Sequence, residues 1–149
     1  MLKALLAELL DQGNAGPPTA RALLDHFGPR AKKIAVAGPQ LTRAPWAQRV
    51  GGADDTFLDL EGDVAGIQLW EDDRGWGAYA EIAVTRGTLA DVEAVAGKTQ
   101  PMPRAPGAFN VGDKVSVYVQ RGGHTVRVFV ELHKRGPDVA RVTVHFQSS

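Results

Sequence analysis

Residues 115–146 read VSVYVQRGGHTVRVFVELHKRGPDVARVTVHF, and this stretch decides the fold. Val115, Val117 and Val119 alternate with other side chains; so do Val126, Val128, Val130 and Leu132, then Val142, Val144 and Phe146. A period of two places each set on one face of a sheet. Arg121-Gly122-Gly123-His124 joins the first two runs as a hairpin turn, whose backbone favours paired glycines. Arg135-Gly136-Pro137-Asp138 supplies the next turn. The stretch therefore predicts an antiparallel meander of Val115 to Gln120, Thr125 to His133 and Val139 to Phe146, with Thr125–Leu132 central and paired on both sides.

Upstream, Thr88-Leu89-Ala90-Asp91 resembles a capping box, and a short helix is expected from Leu89 to about Ala96, ended by Gly97. Ala65 to Trp70 and Trp76 to Val84 read as a hairpin across the turn EDDRG. Residues 31–37 and Phe57 to Leu60 read as short strands, separated by an irregular Pro- and Gly-marked stretch. At the start, Leu2, Leu5, Leu6, Leu9 and Leu10 follow helical spacing until Gly13, Asn14 and Gly16. Pro17 and Pro18 suit the first turn of a second helix carrying Ala20, Leu23, Leu24 and Phe27. Arg21 alone is too little positive charge for a DNA-recognition helix.

The expected architecture is one α+β domain over residues 1–149. An antiparallel β-sheet is packed on one face by the N-terminal helix pair and the short mid-chain helix. Thr19 to Gly28 and Thr88 to Gly97 share the spacing Thr, three residues, Leu or Val, four residues, Gly. Gly62-Asp63 and Gly112-Asp113 precede alternating apolar residues in the same way. These matches suggest repeat halves 1–86 and 87–149; recurrent caps and strand alternation explain them equally well.

With 149 residues, 44% of them hydrophobic and 23% charged, the chain has the profile of a soluble globular domain. It has no Cys, which excludes a disulfide framework and thiolate chemistry. No apolar run approaches the roughly 20 residues of a membrane span. The Leu-rich start carries Glu8 and lacks a small-residue cleavage site, so a cytoplasmic location is expected. The zero net charge hides a pattern: residues 1–50 carry 7 basic and 3 acidic side chains, residues 51–100 carry 3 and 11, and residues 101–149 carry 7 and 3. No basic patch dominates, which argues against nucleic acid as partner. Asp54, Asp55, Glu71, Asp72 and Asp73 instead suit an acidic segment that steers a protein partner, or loops that are simply solvated.

No metal or cofactor is expected. The run Asp59, Glu61, Asp63 starts like a calcium loop, but Val64 and Trp70 stand where that loop needs Gly and a closing acid. No nucleophile elbow, P-loop or dinucleotide fingerprint occurs, so no catalytic residue is assigned. His133, His145 and Glu131 can be drawn as a small-molecule or hydrolytic site on adjacent strands. A stronger candidate is the sheet face opposite the core, where alternation gathers Trp70, Tyr79, Glu81, Tyr118, Arg127, Phe129, Glu131 and Arg141. Large aromatics mixed with Arg and Glu match a protein-binding patch. Alternatively these rings pack under residues 38–56 or 98–112.

The element order, with helices at Thr19 to Gly28 and Thr88 to Gly97 and sheet aromatics Trp70, Tyr79, Tyr118 and Phe129, resembles the tandem β-lactamase inhibitory proteins. That resemblance implies an exposed aromatic sheet face that plugs a partner enzyme. Without Cys or a secretion signal, the chain is closer in style to the immunity proteins that neutralise bacterial toxins. The expected function is thus a non-catalytic inhibitor or immunity protein, with a small-molecule-binding or hydrolytic domain and a secretion-associated adaptor as alternatives.

Overall fold

The five N-terminal leucines form the buried stripe of α1 (Leu2–Asp11) in a computed structural model that describes residues 2–27, 35–37, 64–71, 77–102, 114–133 and 136–147. α2 (Ala20–Phe27) buries Ala20, Leu23 and Phe27. Its cap is Thr19, whose hydroxyl oxygen accepts the Ala22 N–H at 3.0 Å. Pro17 and Pro18 therefore stand ahead of the helix rather than in its first turn, because the Thr side chain satisfies a free N–H that a proline cannot. His26 Nε2 donates to Glu8 Oε1 at 2.8 Å and ties α2 to α1. α3 (Leu89–Ala96) buries Val92 and Ala96 and packs on α1. The Asp91 carboxylate accepts from the Thr88 backbone N–H at 2.9 Å, as the capping-box spacing predicts. Among the described residues, no helix is long and apolar enough to cross a membrane.

The strands are β1 (Ala35–Ala37), β2 (Val64–Glu71), β3 (Gly77–Val84), β4 (Gln100–Pro101), β5 (Lys114–Arg121), β6 (His124–Leu132) and β7 (Val139–Gln147). They lie in the order β1-β2-β3-β7-β6-β5-β4. Six are antiparallel, and β1 joins β2 in parallel. The fold is α+β, and the β5–β6–β7 meander has β6 paired on both sides. Register carries the inner face across the sheet: Ile67, Ile82, Val142, Val130 and Val115 form one row. Leu69, Ala80, Val144, Val128 and Val117 form the next. These rows and the apolar residues of all three helices make one core running from Leu2 to Phe146.

The segment 98–112, considered above as a cover for the outer rings, includes a strand near its start, since β4 pairs Gln100 with Ser116 and Pro101 with Val115. The strand expected over residues 31–37 is described only at Ala35–Ala37; Phe57 to Leu60, residues 72–76 and residues 103–113 lie outside the described residues.

Hairpins β2–β3 and β5–β6 flank β7 from opposite sides, with β3 and β6 innermost. The two hairpins run in the same directions, because every pair between them is antiparallel. α2 covers the first hairpin and α3 the second, within the same core. Passing from β2 to β3 crosses the sheet in the opposite sense to passing from β5 to β6. The two units are thus related as mirror images, whereas a duplicated L-chain keeps its handedness. The shared spacings of Thr19 to Gly28 and Thr88 to Gly97 reflect caps and alternation, not superimposable halves.

Gly122 and Gly123 turn the β5–β6 hairpin with φ of 53° and 78°. The tip is pressed against the end of α1: His124 Nε2 donates to the Gly13 carbonyl at 2.8 Å. A Cβ on Gly122 would meet the Asn14 carbonyl oxygen at 2.4 Å and that of Gly13 at 2.6 Å, whereas one on Gly123 meets nothing within 4 Å. Gly122→Ala is expected to cost about 2–4 kcal/mol, from backbone overlap added to left-handed strain. Gly123→Ala carries only the strain, about 1–2 kcal/mol. Thermal melts of the two variants against the parent check the difference, and equal losses would mean that the tip does not seat on α1.

Candidate functional site

Alternation turns the other half of each strand to the outer face, and register sorts those residues into rows. Trp70, Tyr79, His145, Arg127 and Tyr118 form one row across β2, β3, β7, β6 and β5. Gln68, Glu81, Thr143, Phe129 and Ser116 form the next, and Arg141, Glu131 and Lys114 lie beyond it. The face predicted from the sequence thus exists. The residues on it divide into a closed half and an open half.

The closed half is on β2, β3 and β7. Trp70 stacks on Tyr79 with ring centroids 5.2 Å apart, and Tyr79 stacks on His145 at 4.0 Å. Trp70 and Tyr79 are each 1% exposed, and Gln68, Glu81 and His145 are also buried. Trp70, Tyr79 and Glu81 are therefore not contact surface, contrary to the expectation from alternation. Period two fixes which face a side chain occupies, but not whether that face is covered. Residues 38–56, one of the covers considered for these rings, lie outside the described residues.

The open half is on β5, β6 and β7. Tyr118 is 57% exposed and is the exposed large hydrophobic side chain among the described residues. The Arg127 guanidinium carbon sits over two rings, 5.1 Å from the centroid of Tyr118 and 4.3 Å from that of Phe129. Arg141, 49% exposed, reaches two carboxylates: Nη1 lies 3.5 Å from Glu81 Oε1 and Nε 3.8 Å from Glu131 Oε2. Arg141 thereby supplies the buried Glu81 with a counter-charge, which an acid out of water requires. Beside these groups is a cavity of about 230 Å³, lined by Met102, Lys114, Phe129, Val130, Glu131, Arg141 and Thr143. Met102 and Lys114 were absent from the predicted site. Lys114 was legible as an outer-face position of β5, whereas Met102 arrives through β4, which the sequence does not announce.

The drawn site of His133, His145 and Glu131 does not form. His145 pairs with Arg127, and Glu131 pairs with Arg141. His133 follows the end of β6, six residues beyond Arg127, or about 20 Å along an extended chain. Among the described residues, no group of three His, Asp or Glu side chains can hold a metal ion. The acidic residues Asp54, Asp55, Asp72 and Asp73 lie outside the described residues, as do Asp59, Glu61 and Asp63. Glu71 ends β2.

No family model, no curated protein and no solved structure matches the chain.

Proposed function

We propose that the chain is a non-catalytic protein-binding domain, an inhibitor or immunity protein that neutralises a partner toxin or enzyme through the open half of its outer sheet face. Tyr118 carries this reading: a 57% exposed ring on β5, in contact with the Arg127 guanidinium that also lies over Phe129. Tyr and Arg are the residue types that concentrate binding energy in protein interfaces, and strand backbone holds them in place at little entropic cost. The cavity beside Phe129 gives a partner side chain a place to enter. The inhibitory role comes from the likeness in element order alone to the tandem inhibitors, since the two hairpins here are not a tandem repeat.

The test begins with affinity capture of the partner and then measures its dissociation constant. Tyr118→Ala and Phe129→Ala are each expected to weaken the complex at least tenfold, as losing about 1.4 kcal/mol or more at an interface centre does. Asp25→Ala, on the exposed side of α2, is expected to change nothing. Folded Tyr118 and Phe129 variants that bind like the parent would remove the sheet face as the site. A partner that belongs to a secretion apparatus, rather than a toxin or enzyme, would turn the inhibitor into an adaptor on the same surface.

A further inference from the structure

The charges on the open half are unevenly matched. Glu81 and Glu131 both engage Arg141. Arg127 is left with ring contacts alone: among the described residues its guanidinium makes no salt bridge, and its Nε is buried without a hydrogen-bond partner. The buried Nε is closed to a docking partner, so an acceptor from outside reaches the terminal N–H groups, which carry no salt bridge or hydrogen bond among the described residues. Both rings lie within cation–π distance of the guanidinium carbon. A cation–π contact leaves the pair of terminal N–H groups available to a two-oxygen acceptor.

We propose, building on the docking role of this face, that Arg127 binds a carboxylate of the partner protein. The recognised element is an Asp or Glu neighbouring an apolar side chain that enters the cavity beside Phe129 and Met102. Charge favours a singly charged acid over a phosphate. Glu131 lines the cavity and Glu81 stands beside Arg141, so any anion here meets two carboxylates nearby, and that repulsion is smaller for one negative charge than for two. The cavity wall fits the same description, with Met102 and Phe129 apolar and Lys114 and Arg141 at its charged side.

The probe is a displayed library of random peptides selected on the whole chain. The selected peptides are then titrated against the parent and against Tyr118→Ala, Phe129→Ala, Arg127→Gln and Arg127→Lys. The expected winners carry an Asp or Glu one or two positions from Leu, Ile, Phe or Met. Replacing that acid by its amide should weaken binding at least tenfold on the parent and have no further effect on Arg127→Gln. Arg127→Lys should recover only part of the loss, because an ammonium lacks the fork. The amide substitution is made in the peptide, so the result stands even if an Arg127 variant folds poorly. Winners that are neutral or basic, and that lose binding on Tyr118→Ala but not on Arg127→Gln, would overturn the carboxylate site and leave the docking face intact. Winners indifferent to both Tyr118→Ala and Phe129→Ala, or no winners at all, would remove the docking face as well.

Discussion

Val128→Asp is expected to leave no folded protein at room temperature. Val128 has no exposed surface and sits in the middle of β6, opposite Val117 on β5 and Val144 on β7. All of its inner-face neighbours are apolar members of the core. A carboxyl group placed there has neither water nor a partner; even after taking up a proton it costs several kcal/mol in desolvation and lost packing, on the scale of the roughly 5–15 kcal/mol that holds a domain together. Circular dichroism and an amide NMR spectrum report the outcome. Val128→Ala is the companion, expected to stay folded with a loss of about 2 kcal/mol. The β6 amides of the parent should be among the slowest to exchange. A cooperative melt and a native spectrum for Val128→Asp would mean that β6 is not the centre of the core.

The same valines explain why so much of the fold is legible in the sequence. Three runs of strict alternation are separated by turns whose glycines leave few alternatives, so strand order within the meander and the inner face follow from pattern alone. The five leucines of α1 behave likewise at the helical period. β4 escapes because it is two residues long and consists of Gln and Pro, neither of which favours strands. The junction between β3 and β7 escapes for a different reason. Alternation on β7 states that Val142, Val144 and Phe146 face the core, and this holds whichever strand lies on its far side. The pattern is silent on the partner, which is set by tertiary packing, with α2 over the first hairpin and α3, packed on α1, over the second. The mirror relation of those hairpins was also invisible, because spacing carries no handedness.

At the candidate site, the sequence reveals membership of the outer face and little else. Arg127 and Arg141 read alike, each an Arg alternating with core valines. The structure separates them: one is shared between Glu81 and Glu131, and the other lies over Tyr118 and Phe129. That difference depends on cross-strand register, which brings Glu131 to Arg141 and Tyr118 to Arg127.

Burial divides the aromatics in the same way, and this sets the second large effect. Trp70→Ala should act on stability, whereas Tyr118→Ala should act on binding and hardly on stability. Trp70 is 1% exposed and stacks on Tyr79, which stacks in turn on His145. Removing its ring leaves a large void and takes away the stacking surface, a loss of about 3–5 kcal/mol for a buried aromatic. In a domain of this size each kcal/mol lowers the melting temperature by roughly 2–4 °C, so the Trp70 variant should melt roughly 6–20 °C below the parent. Tyr118, more than half exposed, has little burial to lose, and its removal should change stability by less than about 0.5 kcal/mol. Scanning calorimetry of the two variants decides the matter. If Trp70→Ala melts with the parent while weakening the complex, the stacked aromatics are part of the contact surface and the docking face extends across β2, β3 and β7.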